Sequence, residues 1–247
     1  MTAGKSLLLS LRNVYETLTV SAPTVVDAFR GTVSRQVCDD RLESWATRVV
    51  ANCEMMISVR GRENIPSRSA STNGAGTSYL VMSNHQSHYD IAVIYYVFGS
   101  SVRMVAKREL FDLPVFGGAI RAAGMISVDR NNTESAIASL EDAKTKLADG
   151  IPMWIAPEGT RSPTGDLMPF KKGGFVLALR TGAPIVPVSL RGTRDVLRAK
   201  GLRSRRGVEV CVTIHPQVDP KRYAHLEFKA ARDALAEEVR RAVESGL

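Results

Sequence analysis

The chain has 247 residues, a formal net charge of +8 and an apolar fraction of 44%, which suits one large domain with a sizeable core. Its three cysteines, Cys38, Cys53 and Cys211, are too few and too widely spaced for a disulfide framework or a zinc ribbon, and they fit a reducing compartment. No apolar run reaches the roughly 18 residues of a membrane span, and the N-terminus is a poor signal peptide. We therefore expect a cytoplasmic protein, or one on the cytoplasmic face of a membrane.

The N-terminal part of the chain carries two amphipathic helical patterns. Apolar residues recur at three- and four-residue spacing over residues 5–20, and Pro23 is expected to interrupt this helix. A second pattern runs from Val37 to Cys53. We predict a helical pair over residues 1–54. Such stripes usually pack on their own domain, and the less common alternative is that they lie in a membrane interface.

The stretch after this pair predicts a strand, a turn and a helix with a possible general base. An apolar run from Tyr79 to Met82 predicts a buried strand, and Asp90 opens an apolar segment long enough for a helix. Residues five apart on one continuous helix diverge by roughly 140°. His85 and Asp90 therefore meet only if His85 lies in the turn and Asp90 in the first helical turn. The carboxylate would then hold one imidazole nitrogen and leave the other to take a proton.

Two other interpretations of this stretch stay open. His85 and Asp90 could merely cap the helix and pair locally. Alternatively, His85, His88 and Asp90 could supply three ligands of a metal site. The other imidazoles are His215 and His225 and no cysteines cluster, so a closed site would need remote carboxylates.

Strands alternate with helices along the rest of the chain. Besides Tyr79–Met82, the predicted strands are Met56–Arg60, Val102–Ala106, Met125–Val128, Ile151–Ala156, Ile185–Leu190 and Val208–Ile214. Apolar residues alternate along the last of these, which predicts an edge strand. The pattern predicts a single α/β domain over residues 55–247, with a mostly parallel or mixed sheet of about seven strands flanked by helices.

Several cations follow these strands. Lys107, Arg130 and Arg161 each come at a strand end, and Arg161 closes the Gly-containing turn 157–161, a reasonable place to bind a phosphate. Residues 191–207, which we call the basic segment, hold seven basic side chains and one acidic one. Such a segment attracts phosphates, and the scarcity of nearby aromatic residues argues against nucleic acid as the partner. The alternative for each cation is an ordinary solvated side chain.

Three common motifs are absent from the sequence, and their absence limits the classes of reaction that the chain is expected to catalyse. The chain has no Gly-x-Ser-x-Gly elbow, Walker loop or Gly-x-Gly-x-x-Gly fingerprint, so a nucleophile-elbow hydrolase and a nucleotide-binding enzyme are unsupported. One imidazole base beside strand-end cations instead predicts group transfer onto a hydroxyl of a phosphorylated acceptor. An activated acyl donor would remove the need for a covalent enzyme intermediate.

Four sequence blocks, over about residues 55–195, carry a resemblance to a known family. In chain order they are Asn84-His85-x4-Asp90, Gly124–Arg130, Pro157–Arg161 and Ile185–Leu190. Together they resemble the 1-acyl-sn-glycerol-3-phosphate acyltransferases, or lysophosphatidic acid acyltransferases, among the glycerolipid acyltransferases. Between them, Lys107–Leu110 and Lys171–Phe175 are also similar to the family. Ala156 and Ser127 depart from its usual pattern without removing any chemistry.

The resemblance implies a reaction and its base. His85 would deprotonate the free sn-2 hydroxyl of lysophosphatidic acid, and Asp90 would orient the imidazole and stabilise its protonated form. The hydroxyl oxygen would attack the thioester of acyl-CoA or of an acylated acyl carrier protein, with no further cofactor and no metal. The residues implied for acceptor binding are Glu158, Gly159, Thr160 and Arg161, with Arg130 and Lys107 as further cations.

The acceptor and the surroundings are less sharply implied. Another lysophospholipid, a lyso-ornithine lipid or glycerol 3-phosphate could replace lysophosphatidic acid as acceptor. We expect peripheral attachment to an anionic membrane, on the inner face of the cell membrane, through residues 1–30 and the basic segment. A metal-dependent hydrolase and a non-catalytic lipid- or nucleic-acid-binding module are the alternatives from other classes.

Overall fold

The structure, a computed structural model, describes residues 4–66, 78–129 and 133–247. This part of the chain confirms the predicted α/β class, with helices on both sides of one seven-stranded sheet. Its α-helices are α1 (Leu7–Phe29), α2 (Arg35–Asn52), α3 (Tyr89–Phe98), α4 (Arg108–Phe111), α5 (Phe116–Ala122), α6 (Thr133–Ala148), α7 (Gly173–Thr181), α8 (Thr193–Val196) and α9 (Phe228–Ser245). Its strands are β1 (Met56–Arg60), β2 (Leu80–Ser83), β3 (Arg103–Lys107), β4 (Ile126–Val128), β5 (Met153–Ile155), β6 (Ile185–Arg191) and β7 (Glu209–Ile214).

The sheet is mostly parallel, with the order β1-β7-β6-β2-β5-β3-β4. Neighbouring strands are parallel except β6 and β7, which are antiparallel. All four residues of β2 are buried, because helices cover both faces of the sheet at its centre. The carboxyl ends of β6, β2 and β5 therefore meet at one edge, where ligand sites of open α/β sheets form.

The prediction that residues 208–214 form an edge strand is wrong. Strand β7 lies between β1 and β6. Its alternation is real, since Val210, Val212 and Ile214 are buried while Glu209 is exposed. An interior strand shows the same period-two pattern as an edge strand when only one of its faces is covered, and the pattern does not reveal the neighbour brought by β1.

Helix α1 continues through Pro23, contrary to the predicted interruption. Proline removes one backbone hydrogen bond from a helix and crowds the preceding turn. Packing supports the helix here: the Thr24 hydroxyl donates to the Val20 carbonyl oxygen at 2.7 Å, and Arg41 of α2 reaches both Thr24 and Asp27. Tertiary contacts therefore outweigh the local cost of the proline.

Helices α1 and α2 precede the first strand and pack against each other. Trp45 of α2 donates its indole N–H to the Thr17 hydroxyl at 3.0 Å, and Arg48 pairs with Glu16 at 2.7 Å. Apolar side chains of this pair belong to the core on the α3 face of the sheet, and α7 and α9 cover the other face. The division of the chain at residues 54 and 55 stays a prediction. None of the helices in the described ranges is long and apolar enough to cross a membrane.

Candidate active site

The turn that follows β2 is fixed by strands on both sides. The Asn84 side-chain amide donates to the Leu190 carbonyl oxygen at 2.9 Å and accepts from the Leu190 N–H at 2.8 Å, which extends the pairing of β2 with β6. On the β5 side, Trp154 donates its indole N–H to the Ser83 hydroxyl at 2.9 Å. The same indole lies edge-on to the His85 ring, with 5.6 Å between ring centroids. The His85 imidazole therefore packs against an indole whose position is fixed by its hydrogen bond to Ser83.

His85 and Asp90 meet as their spacing predicts. His85 lies in the turn, Asp90 lies in the first turn of α3, and the His85 Nδ1 atom is 2.7 Å from Asp90 Oδ2. A carboxylate is an acceptor, so Nδ1 carries the proton and Nε2 presents its lone pair. The Asp90 side chain is fully buried, whereas the His85 side chain is 17% exposed. A reactant can thus reach the imidazole and not the carboxylate.

Three donors converge on a single oxygen of Asp90. Besides His85 Nδ1, the backbone N–H groups of Gln86 and Ser87 donate to Oδ2 at 2.7 and 2.9 Å. These contacts fix the rotamer of the carboxylate. The other oxygen, Oδ1, is buried with no hydrogen-bond partner in the described residues. Asp90 therefore holds the imidazole through the oxygen that the backbone of the same turn positions.

Glu158 supports the His85 turn through its backbone. Its carboxylate accepts from the His85 N–H at 2.7 Å through Oε1 and from the Met168 N–H at 2.9 Å through Oε2. Burial raises the pKa of Glu158, and the two backbone donors oppose that rise. The family resemblance implied that Glu158 contacts the acceptor. In the structure both of its oxygens bind main-chain N–H groups of the protein.

The turn after β5 presents an unpaired cation. Arg161 is half-buried, and no side chain in the described ranges pairs with its guanidinium. Burial lowers the pKa of Arg161, while the negative charge of Asp90 raises it, which places Arg161 in the field of the His-Asp pair. Thr160 is exposed beside it. Gly159 has a φ of +74°, a conformation that favours glycine and sharpens the turn.

The other predicted cations are placed differently. Lys107 ends β3 and pairs with Glu109, with 2.6 Å between Nζ and Oε1, and both side chains are more than half exposed. Exposed pairs are weak and exchange readily, so this pairing leaves the Lys107 ammonium able to bind another anion. Arg130 lies outside the described residues.

Long-range contacts that the sequence does not reveal hold the site together. The Ser162 N–H donates to the His85 carbonyl oxygen at 2.8 Å, and the Ser87 hydroxyl donates to the Leu197 carbonyl oxygen at 2.7 Å. The second contact attaches the basic segment directly to the turn that carries His85. Arg194 of that segment donates to the Pro163 carbonyl oxygen at 3.0 Å. Only the contact of the Trp154 indole could have been anticipated from the sequence, because a strand tryptophan next to a polar turn usually finds a hydrogen-bond partner.

An apolar cavity of about 480 Å³ begins beside the turn between β2 and α3. His88 and Tyr89 belong to its wall. The rest of the lining comes mainly from apolar side chains of α1, α2, α3 and α5, and includes Val20, Leu42, Ala92, Ile120 and Leu202. Its volume falls within the roughly 300–1,000 Å³ of ligand pockets.

The arrangement favours proton abstraction over metal binding. His85 gives its Nδ1 to Asp90, while His88 is exposed and has no contact with Asp90 among the hydrogen bonds of the turn. The described ranges contain no group of three His, Cys, Asp or Glu side chains placed to hold a metal ion. A base next to an unpaired arginine and an apolar cavity suits a substrate with a hydroxyl, an anionic group and a hydrocarbon chain.

Comparisons with known proteins show which family this chain resembles. The acyltransferase family model matches residues 56–191. A chloroplastic 1-acyl-sn-glycerol-3-phosphate acyltransferase of Brassica napus is 33% identical over 72% of this chain, and the match covers 49% of the relative. An enzyme of that name from Borreliella burgdorferi is 30% identical, over 76% of this chain and 72% of the relative. The chain thus spans about half the length of the Brassica protein.

A solved structure extends the similarity to the whole chain. The crystal structure of the 1-acyl-sn-glycerophosphate acyltransferase PlsC from Thermotoga maritima has a TM-score of 0.76 and 29% sequence identity. The match covers 97% of this chain and 95% of that one, so it includes the N-terminal helical pair.

Proposed function

Because the chain belongs to the acyltransferase family, we propose that it transfers an acyl group from a thioester to the sn-2 hydroxyl of lysophosphatidic acid, giving phosphatidic acid. The observation that carries this proposal is the geometry of His85. Its Nδ1 donates to the buried Asp90 carboxylate, its side chain is partly exposed, and its Nε2 has no partner in the described residues. That geometry is the one a general base needs.

His85 carries the one proton that moves in the reaction, from the acceptor hydroxyl to the leaving thiolate. Nε2 of His85 takes the proton of the acceptor hydroxyl as its oxygen attacks the thioester carbonyl carbon, and Asp90 stabilises the imidazolium that forms. The tetrahedral intermediate collapses, the C–S bond breaks and the ester is left on the acceptor. The imidazolium returns its proton to the departing thiolate, which is a good leaving group because thiols have a pKa of about 8.5. The base is thereby regenerated without a covalent enzyme intermediate.

The acceptor's phosphate is proposed to lie against Arg161. This guanidinium is unpaired in the described part of the chain and adjoins the turn that Glu158 ties to His85. Arginine binds phosphate through two parallel N–H donors. Lys107 and Arg130 are proposed as further cations for the same group, while Glu158, Gly159 and Thr160 form the supporting turn.

The donor's acyl chain is proposed to occupy the apolar cavity. Each methylene buried in such a space contributes about 0.8 kcal/mol. Replacing Ile120, a half-buried residue of the wall, with tryptophan should fill the space of about two methylenes. We expect the ratio of kcat/KM for palmitoyl-CoA to that for lauroyl-CoA to fall about tenfold, measured by thiol release. Leu113→Trp, at an exposed position outside the cavity lining, is the control. An unchanged ratio in Ile120→Trp would place the chain elsewhere.

The choice of acceptor and donor is tested by a substrate panel. Purified protein is given palmitoyl-CoA or palmitoyl-acyl carrier protein with lysophosphatidic acid, lysophosphatidylcholine, lyso-ornithine lipid or glycerol 3-phosphate, and products are identified by mass spectrometry. The proposal expects phosphatidic acid as the main product. A different dominant acceptor, or hydrolysis of the thioester without transfer, would refute it.

Peripheral attachment to the inner face of an anionic cell membrane is proposed through α1 and the basic segment. Eight large apolar side chains of α1 are exposed: Leu7, Leu8, Leu11, Val14, Tyr15, Leu18, Val26 and Phe29. Ser6 and Ser204 exchange backbone hydrogen bonds of 2.7 and 3.1 Å, which fixes the basic segment beside the start of this helix. Exposed Leu202 joins the same surface. An apolar face with a cationic border suits anionic lipid.

Vesicle binding tests this attachment. We expect the protein to sediment with phosphatidylglycerol vesicles at physiological salt. Leu8→Glu/Leu11→Glu should weaken binding at least tenfold, because it removes two leucines that would be buried in the lipid. The control, Leu226→Glu/Phe228→Glu, replaces two exposed apolar residues near α9, which packs on the opposite face of the sheet. A wild-type protein that stays in the supernatant, or equal losses in the two variants, would contradict the proposal.

A further inference from the structure

Lys171 and Lys172 are adjacent lysines in different environments, just before α7. Lys172 forms an ion pair with Asp233 of α9, with 3.0 Å between Nζ and Oδ1. Lys171 is exposed, and no side chain in the described ranges neutralises it. The chain therefore leaves the charge of the first lysine uncompensated while it compensates the second.

The Lys171 side chain lies over the turn that carries Glu158 and Arg161. Its backbone N–H donates to the Pro157 carbonyl oxygen at 2.8 Å, which fixes it next to the end of β5. Its stem crosses Gly159 so closely that a Cβ atom on that glycine would lie 2.9 Å from Lys171 Cδ and 3.4 Å from Nζ. A side chain at position 159 would push the ammonium away from the turn.

The start of α7 also lies at this edge of the sheet. Gly174 packs on Met82 of β2 and Ile155 of β5, at the carboxyl ends of the two central strands. A Cβ atom on Gly173 would meet open space, and no side chain caps this helix. The first N–H groups of the nine-residue helix therefore add positive potential beside the Lys171 ammonium.

We propose that Lys171 binds the phosphate of the acyl acceptor together with Arg161, and so favours phosphorylated acceptors over neutral ones. This inference rests on the proposed function of the site. Gly159 and Arg161 are two residues apart, so their Cα atoms are separated by about 7 Å at most. The Lys171 side chain crosses Gly159, so its ammonium and the Arg161 guanidinium can bind one phosphate between them. Coenzyme A also carries phosphates, and the experiment distinguishes the two sources.

Lys172, the adjacent lysine that pairs with Asp233, provides the control. Lys171→Gln is expected to raise the KM for lysophosphatidic acid about tenfold, the loss of one charge-assisted hydrogen bond, with kcat and the KM for palmitoyl-CoA little changed. Lys172→Gln should leave the KM for lysophosphatidic acid near the wild-type value. Lys171→Arg should restore most of the affinity, because it returns the positive charge. With 1-acylglycerol, which has no phosphate, wild type and Lys171→Gln should not differ.

Direct binding separates this inference from the proposed function. Titration of lysophosphatidic acid into wild type, Lys171→Gln and Lys172→Gln, followed by calorimetry, needs no turnover. Weaker binding in Lys171→Gln alone supports the inference even if no phosphatidic acid forms, in which case only the proposed function fails. Turnover with an unchanged KM and Kd in Lys171→Gln overturns the inference and leaves the function intact. A raised KM for palmitoyl-CoA alone would assign Lys171 to the donor's phosphates and would also overturn it.

Discussion

His85→Ala is expected to lower kcat by roughly 10²–10⁴-fold, the range that a positioned general base contributes. The imidazole is the one group of the described turn that is both reachable and paired with a buried carboxylate. Alanine leaves the Trp154 indole and the backbone contacts of the turn in place. The KM values for donor and acceptor should therefore change little. Steady-state thiol release gives both parameters.

The neighbouring imidazole gives the control for this variant. His88 is exposed in the same turn and does not bond Asp90, so His88→Ala should keep kcat within the wild-type order of magnitude. If His88→Ala lost as much activity as His85→Ala, or if His85→Ala retained it, the assignment of the base would be wrong.

Asp90→Asn is expected to lower kcat by a similar factor, roughly 10²–10⁴-fold, while the protein stays folded. An asparagine oxygen can still accept from the Gln86 and Ser87 N–H groups. That oxygen is neutral, so it cannot stabilise the imidazolium as the ionised carboxylate does. Activity is measured as above, and stability is measured by the melting temperature.

A second buried aspartate separates catalysis from stability. Asp39 pairs with buried Arg103 at 2.6 Å, on the α2 side of the sheet and away from the His85 turn. Asp39→Asn should lower the melting temperature, because it leaves a buried guanidinium without its counter-charge, and should leave kcat nearly unchanged at temperatures where the variant is folded. The proposed role of Asp90 would be contradicted if Asp90→Asn behaved in the same way.

The sequence predicted the parts of the fold that depend on local pattern. Each predicted strand is present, with ends that shift by no more than two residues, because short apolar runs mark buried strands. The His85–Asp90 contact was also predictable, since five residues across a strand-turn-helix junction bring the two side chains together. Both inferences use neighbours along the chain.

The errors and omissions come from distant contacts. Pro23 stays helical because Arg41 and packing against α5 support the helix, and β7 is interior because β1 pairs with it from about 150 residues away. In the site, the sequence did not reveal that Glu158 binds the N–H groups of His85 and Met168. Such partners are assembled only by the folded chain.

The position of the basic segment also depends on distant contacts. Charge alone suggested an attraction to phosphates, without a position. The Ser87–Leu197 hydrogen bond and the Ser6–Ser204 pairing place the segment between the His85 turn and the start of α1. Residues more than 100 positions apart make these contacts, so no local pattern could have located them.

The most direct test of the proposed chemistry is thiol release from palmitoyl-CoA by the wild-type protein, with and without lysophosphatidic acid, beside His85→Ala. A general base that delivers the acceptor hydroxyl to the thioester predicts release only when acceptor is present, with one phosphatidic acid formed per thiol, and near-complete loss in His85→Ala. Release that is independent of acceptor and survives in His85→Ala would contradict the account, since it would indicate hydrolysis by other residues.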